Sequence, residues 1–135
     1  DIVRTVSNCH VGATGVDLHE CMSLSFADGK MANLQAGALC LNDRQGIISG
    51  TEGYIRVDNV NCPEVVEVYR NYELVERFLK PDDMITGYEY QVIEAKRCIE
   101  AGLLESPMMP HEETVDIMRQ MDGLRKEWGV IYPMD

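Results

Sequence analysis

The sequence lacks the features that would place the chain in a membrane or on nucleic acid. No run of about eighteen apolar residues occurs among its 135 residues, and no basic segment followed by an apolar one opens it. We therefore expect no membrane span, and no secretion signal is visible. Basic residues are also scarce, because 12 Lys and Arg stand against 23 Asp and Glu, for a net charge of -11. Phosphate backbones bind clustered cations, so we expect no nucleic-acid partner.

The chain also lacks a dinucleotide-binding signature. None of its 11 glycines forms the strand, G-x-G-x-x-G turn and helix that hold a pyrophosphate. The 5 cysteines are odd in number and share no repeated short spacing. That pattern is typical of reduced thiols, and it predicts a cytoplasmic protein rather than a disulfide framework.

What is present in the first two thirds is alternation of apolar and polar residues. This period predicts strands over residues 2–6, 16–27, 30–41, 46–49, 54–58, 65–69 and 74–79. Asp28-Gly29 lies between two such runs and predicts a tight hairpin. The length suits a single domain over residues 1–135.

The last third has a helical period. Apolar residues at Tyr88, Val92, Ala95 and Ile99 predict a helix over residues 88–101, which Gly102 ends. A second helix is predicted from near His111 to Gly129. We interpret the apolar stripes of both helices as packing surfaces. Strands first and helices last predict an α+β fold: an open-faced, mostly antiparallel sheet of about six or seven strands, with two C-terminal helices packed on one face.

Several short motifs follow one another along nearly the whole chain. They are Thr14-Gly15-Val16-Asp17, Phe26-Ala27-Asp28-Gly29-Lys30, Ile48-Ser49-Gly50-Thr51-Glu52-Gly53, Asn61-Cys62-Pro63, Gly87-Tyr88-Glu89-Tyr90, Cys98-Ile99-Glu100-Ala101-Gly102, Glu105-Ser106-Pro107 with Pro110, Met121-Asp122 with Arg125, and Trp128-Gly129. In this order they resemble the C-terminal domain of the glucose-fructose oxidoreductase / inositol dehydrogenase (Gfo/Idh/MocA) family. Within it, the chain is most similar to the dimeric dihydrodiol dehydrogenase branch.

The resemblance implies a parent NAD(P)-dependent oxidoreductase, in which an N-terminal Rossmann domain, absent from this chain, binds NAD or NADP. The family's Glu-Lys-Pro motif, which supplies the catalytic lysine, is absent as well. We therefore expect no catalytic residue and no cofactor bound by this chain alone. The expected role is that of a substrate-side and oligomerisation domain. The alternative is a stand-alone, non-catalytic dimerisation module of the same fold.

Matching the family's motifs by position implies a substrate wall. Its members would be Asn61, Cys62, Met84, Ile85 and Tyr88. Asn61 departs from the aromatic residues found at some of these positions in relatives that oxidise dihydrodiols, which favours a sugar or polyol. A simple turn at Asn61-Cys62-Pro63 is an equally good interpretation.

The sheet face away from the helices carries small and moderately polar residues. We expect this face to contain Cys21, Ser23, Ser25, Ala36, Ala38 and Cys40. Such a face can be solvated or paired. The resemblance implies pairing, since family members stack these faces across a twofold axis, and it predicts a homodimer.

Two further groups have a structural interpretation. Cys9, His10, His19 and Cys21 are close in sequence, but their spacing fits no zinc motif, so no metal site is predicted. His111 stands at the amino end of a helix, where the helix dipole disfavours a charged imidazole, and we interpret it as solvated rather than as an acid or base.

Overall fold

A computed structural model describes residues 1–132 and contains seven strands and two helices in the predicted order. The strands are β1 (Ile2–Val11), β2 (Asp17–Phe26), β3 (Met31–Gly37), β4 (Gly46–Ser49), β5 (Gly53–Val57), β6 (Val65–Arg70) and β7 (Glu73–Leu79); the helices are α1 (Glu89–Glu100) and α2 (His111–Trp128). All strand pairs are antiparallel. The α+β class is confirmed. No helix in this described part is long and apolar enough to cross a membrane.

The strands form two sheets, with the orders β1-β2-β3 and β4-β5-β6-β7. The single continuous sheet of the sequence prediction is thus replaced by two. The break falls at residues 38–45, where the Asn42 side chain accepts a hydrogen bond from Arg44 N and Asp43 accepts one from Gln45 N. Such Asx turns compete with strand pairing in this segment. β3 ends at Gly37 because Gly37 pairs with His19, close to the start of its partner strand β2 at Asp17.

The chain divides into two compact units. One contains residues 1–41 together with the described residues from Met109 onward, and the other is Asn42–Met108. The first therefore carries the three-stranded sheet and α2, and the second carries the four-stranded sheet and α1. A single domain over residues 1–135 stays a prediction.

In the first unit, α2 packs against β1. The indole Nε1 of Trp128 donates to Ser7 Oγ at 2.9 Å, and Ser7 Oγ donates to Glu127 Oε1 at 2.9 Å. Ser7 is opposite Met22 in register, so α2 lies on the Met22 face of the sheet. Because side chains alternate along a strand, the neighbouring Cys21 belongs to the other face.

The register corrects the predicted composition of that other face. Cys21, Ser23 and Ser25 lie opposite Gln35, Asn33 and Met31 and share a face with them. Ala36 lies opposite Glu20, so it belongs to the face that α2 packs on. Ala38 and Cys40 come after the end of β3. The Asp28-Gly29 hairpin, which is confirmed, pairs odd-numbered residues with odd-numbered ones, and this parity moves Ala36 to the opposite side.

In the second unit, two hairpins shape the four-stranded sheet. Gly53 approaches the β6 backbone so closely that an added Cβ would lie 1.9 Å from the carbonyl oxygen of Tyr69. Only glycine fits there, which explains the glycine that ends the Ser49–Gly53 motif. The β6-β7 turn places Asn71 and Tyr72 at positive φ (48° and 68°), which is the conformation of a two-residue hairpin turn.

The helix boundaries agree with the prediction to within a residue. α1 ends at Glu100, with Gly102 at φ 68°, and α2 is followed by Gly129 at φ 73°. The start of α1 lies beside the four-stranded sheet, because Tyr90 and Gln91 border the same cavity as Val66 of β6 and Phe78 of β7. Ser106 ties the segment that follows α1 to the helix by donating to Glu94 Oε1 at 2.6 Å.

Candidate functional site

A cleft of about 530 Å³ lies within the second unit. Its apolar part is formed by Val66 and Phe78, which are opposite each other in β6 and β7, and by Met84. Its polar part is formed by side chains from the connecting segments and the start of α1. These are Arg44, Asn59, Asn61, Glu64, Lys80, Tyr88, Tyr90 and Gln91. An apolar floor with a few polar groups is the usual composition of a small-molecule site.

Four of the five residues predicted as a substrate wall line this cleft. They are Asn61, Cys62, Met84 and Tyr88, which come from segments more than twenty residues apart in sequence. Ile85 does not line the cleft and is 86% exposed. The structure thus brings four of the residues together, and their role in binding stays a prediction.

The segment that carries Asn61 is a hydrogen-bonded turn. Asn59 Oδ1 accepts from Asn61 N at 3.2 Å, and Asp58 Oδ1 accepts from the backbone N–H groups of Glu64 and Val65, both at 3.1 Å. These Asx contacts fix the backbone on both sides of Cys62-Pro63. The turn interpretation is therefore right about the geometry, and the same turn presents Asn61 and Cys62 to the cleft.

The segment from Met84 to Tyr88 is held against this turn. Cys62 Sγ donates to the carbonyl oxygen of Thr86 at 3.2 Å. Gly87, at φ 84°, lies so near that an added Cβ would be 3.2 Å from Cys62 Sγ. A larger residue would thus meet both an unfavourable backbone conformation and a close contact.

Glu89, the first residue of α1, holds the same segment from its other side. Its carboxylate accepts from Ile85 N at 2.6 Å and from Thr86 Oγ1 at 2.8 Å. Hydrogen bonds from its own backbone N–H and from that of Ile85 lower the pKa of Glu89 to about 2. The carboxylate therefore stays charged and keeps the cleft wall in place at the helix start.

Two cations and one carboxylate line the cleft. Lys80 Nζ lies 2.6 Å from Glu64 Oε1, and this hydrogen bond raises the pKa of Lys80. The backbone N–H of Lys80 also donates to the carbonyl oxygen of Glu64 at 2.8 Å. Arg44 forms no salt bridge within the described residues. Among the side chains that line the cleft, positive charges therefore outnumber negative ones, in a chain that is acidic as a whole.

Sequence reasoning missed a second cluster, on the other face of β6. Glu67 is only 1% exposed and accepts hydrogen bonds from Arg56, from Arg77 Nε at 2.8 Å and from Tyr69 Oη at 2.9 Å. The bond from Arg77, with those from Tyr69 and Arg56, lowers the pKa of Glu67. A single carboxylate in the apolar strand Val-Val-Glu-Val-Tyr was the available signal, since such a charge needs partners.

Register explains how this cluster forms. Arg56 of β5 and Arg77 of β7 both lie directly opposite Glu67, one on each side. Tyr69 stacks on Tyr54 with ring centroids 4.6 Å apart. Val66, the residue before Glu67, points to the opposite face and lines the cleft. The cluster is thus a structural feature separate from the cleft.

The other residues considered from sequence do not form a site. His10 and His19 lie opposite each other, whereas Cys9 lies opposite Glu20. Among residues 1–132, no three His, Cys, Asp or Glu side chains converge as metal ligands would. His111 is the first residue of α2.

The chain is similar to known dehydrogenases over most of its length, although no family model matches it. It is 31% identical over 130 residues to trans-1,2-dihydrobenzene-1,2-diol dehydrogenase of Danio rerio. It is 30% identical over 130 residues to scyllo-inositol 2-dehydrogenase (NADP(+)) IolU of Bacillus subtilis (strain 168), and 27% identical over 126 residues to trans-1,2-dihydrobenzene-1,2-diol dehydrogenase of Xenopus tropicalis. The alignments cover 90%, 96% and 89% of the chain, but only 38%, 39% and 38% of the relatives.

Proposed function

Because the chain belongs to the glucose-fructose oxidoreductase / inositol dehydrogenase family, we propose that it is the substrate-side domain of an NAD(P)-dependent oxidoreductase acting on a sugar, polyol or related alcohol. The observation that carries this proposal is the cleft shared by Asn61, Cys62, Met84 and Tyr88. Hydride transfer then requires a nicotinamide cofactor, bound by an N-terminal Rossmann domain, and a catalytic lysine from that same domain. In the proposal this chain contributes substrate binding and no catalytic residue.

The chemistry of the cleft supports a polyhydroxy compound. The side-chain amides of Asn59, Asn61 and Gln91 both donate and accept hydrogen bonds, and so do the hydroxyl groups of Tyr88 and Tyr90. Several donors and acceptors around one cleft suit a ligand with several hydroxyl groups. The apolar floor suits the C–H face of a sugar or cyclitol ring. Asn61 is polar, which favours a polyol over an aromatic diol.

The test uses the complete reading frame that encodes this chain. Its product is assayed for reduction of NAD⁺ and of NADP⁺ with myo-inositol, scyllo-inositol, glucose and xylose, and with a benzene dihydrodiol for comparison. We expect reduction of one cofactor with a sugar or cyclitol. The 135-residue chain alone should show no turnover and no calorimetric binding of either cofactor.

Two outcomes would contradict the proposal. Tight cofactor binding by the 135-residue chain would show that the cofactor site does not depend on another domain. A reading frame with no dinucleotide-binding motif, whose product is inactive on every alcohol, would favour the stand-alone dimerisation module instead.

We also propose a homodimer through the face of the three-stranded sheet that α2 does not cover. After correction by the register, the centre of this face is Cys21, Ser23, Asn33 and Gln35. Ser23 Oγ donates to Asn33 Oδ1 at 2.7 Å, so polar groups of this face are partly satisfied within one chain. Short side chains of this kind suit face-to-face stacking of two sheets. All five cysteines are free, which fits the proposed cytoplasmic location.

A further inference from the structure

The charge of the cleft is opposite in sign to that of the chain. Acidic side chains outnumber basic ones by 23 to 12 in the sequence, yet the cleft is lined by Arg44, Lys80 and a single carboxylate, Glu64. Glu64 already pairs with Lys80 at 2.6 Å. The positive charge of Arg44 is therefore available to an anionic ligand.

Arg44 is held at the cleft by its backbone. Its N–H donates to Asn42 Oδ1 at 2.9 Å, and its carbonyl oxygen accepts from Val60 N at 3.0 Å. The second bond ties the Arg44 segment to the turn that presents Asn61. Both segments are thus fixed relative to each other within the same unit.

The conformation of Arg44 is unusual for a side-chain-bearing residue. Its φ is 53°, in the left-handed region that costs an L-residue of this kind free energy. Residues held in such conformations concentrate at functional sites, where the surrounding structure supports the strain. The hydrogen bonds to Asn42 and Val60 provide that support here.

We propose that the cleft binds a polyhydroxy substrate that carries an anionic group, a phosphate or a carboxylate. Arg44 is its main counter-ion and Lys80 the second. This inference rests on the proposed function, because it specifies the substrate class of the same cleft. A guanidinium binds two oxygens of a phosphate or carboxylate at once, while an ammonium acts as a point charge. The side-chain amides of Asn61 and Gln91, together with the amide nitrogen of Asn59, are then available to the hydroxyl groups.

The test is a titration of the 135-residue chain, followed by the backbone amide signals of Arg44, Asn61 and Lys80 in NMR spectra. The ligands are myo-inositol, myo-inositol monophosphate, glucuronate, inorganic phosphate and NADP⁺. We expect the monophosphate, glucuronate or both to bind about tenfold more tightly than myo-inositol, because a charge-assisted bond adds to the same hydroxyl contacts.

Variants assign the difference to Arg44. Arg44→Gln should reduce the affinity for the anionic ligand to within about twofold of the affinity for myo-inositol. Arg44→Lys should retain part of the preference for the anionic ligand. Arg119→Gln is the matched control, since Arg119 is exposed on α2, pairs with Asp116 and is not among the residues that line the cleft. If Arg44→Gln fails to fold, Lys80→Gln measures the same preference.

Each of the other outcomes contradicts one part of the proposal. Equal binding of myo-inositol and its monophosphate overturns the anionic substrate and leaves the proposed function standing. Inorganic phosphate binding as tightly as the monophosphate, with no effect of myo-inositol, leaves an anion site but contradicts polyol recognition. If NADP⁺ binds to these residues as tightly as the monophosphate, the site binds a phosphate of the cofactor, and the proposal of an anionic substrate is wrong. No shift with any ligand overturns the anion site, while the assay of the complete reading frame still decides the proposed function.

Discussion

Glu67 shows how a single residue can control the four-stranded sheet. Its carboxylate lies between two guanidinium groups from the neighbouring strands and is almost fully covered by them and by Tyr69. A buried carboxylate is tolerated only when such partners satisfy it. Removing it would leave Arg56 and Arg77 facing each other without a counter-charge.

We therefore predict that Glu67→Gln lowers the thermal unfolding midpoint by about 5 °C or more, because two cations lose their shared partner. Circular dichroism melts measure this. Glu76→Gln, on the exposed strand β7, is the control and should change the midpoint by no more than about 1 °C. Equal effects of the two substitutions would show that the cluster contributes nothing specific.

Glu94 makes stability depend on acid pH. Hydrogen bonds from Arg97 and from Ser106 lower the pKa of Glu94 to about 2, from a usual value of 4.5. A carboxyl group whose folded-state pKa is depressed stabilises the fold above its unfolded pKa, and this contribution is lost as pH falls towards the folded value. The affected range is therefore from pH 4.5 down to about 2.

The corresponding prediction compares melts of the parent chain and Glu94→Gln across that pH range. The parent should lose stability progressively on acidification, and the variant should lose less, since it has no charge at this position to titrate. Glu76→Gln should keep the parent's pH dependence. A Glu94→Gln profile parallel to that of the parent would refute a role for this carboxylate.

At the scale of elements, the cleft depends on how the segment before α1 lies on the Asn61 turn. Gly87 combines a φ of 84° with contact to Cys62, whereas Gly102 has a similar φ of 68° and no neighbour within 4 Å of an added Cβ. The two glycines thus separate the effect of backbone strain from the effect of contact.

We predict that Gly102→Ala lowers the free energy of unfolding by about 1 kcal/mol, the approximate cost of a left-handed alanine, and that Gly87→Ala lowers it by more, because the added methyl group also contacts Cys62. Only Gly87→Ala should also move the amide signals of Cys62 and Thr86, because its methyl group displaces the segment. Denaturant titration and NMR spectra measure the two effects. If the amide signals of Cys62 and Thr86 are the same in both variants, the contact between residue 87 and Cys62 is contradicted.

Most elements could be predicted because their signals are local. Helical spacing, Gly102 and Gly129 gave the ends of α1 and α2, and Asp28-Gly29 gave the first hairpin. The division into two sheets could not be predicted, because whether β3 pairs with β4 depends on tertiary structure and not on the pattern along either strand. The face of Ala36 depends on the parity of pairing across the hairpin, and a pattern read along one strand does not contain it.

The cleft was predictable only where family motifs covered it. Asn61, Cys62, Met84 and Tyr88 were reached through the resemblance. Arg44 and Lys80 were not, because they come from connecting segments whose meeting depends on tertiary structure. Glu67 was missed for a similar reason, as its two arginine partners lie on different strands.

At the scale of the whole molecule, the proposed homodimer is open to direct measurement. We predict that light scattering gives twice the chain mass of 15.2 kDa at micromolar concentration. Ser23→Arg, at the centre of the uncovered face, should shift the chain towards monomer, since a buried charge without a partner opposes association. Glu76→Arg, on the other sheet, should leave the mass unchanged. A monomeric parent chain would contradict the proposal.

The chain spans 38% to 39% of the length of the dehydrogenases it matches. In the proposed function it therefore acts as one domain of a longer enzyme. Its proposed task there is to hold the substrate in the cleft. Residues that only bind substrate should affect KM when altered, while the rate of the chemical step depends on groups outside this chain.

The most direct test measures the steady-state kinetics of the protein encoded by the complete reading frame, with the substitution Asn61→Ala or Ile85→Ala. Asn61 lines the cleft, and Ile85 belongs to an adjoining segment but is 86% exposed outside it. We predict that Asn61→Ala raises KM for the alcohol about tenfold with kcat within about twofold, and that Ile85→Ala changes neither. An unchanged KM in Asn61→Ala, or an equal rise in Ile85→Ala, would contradict the assignment of this cleft as the substrate site.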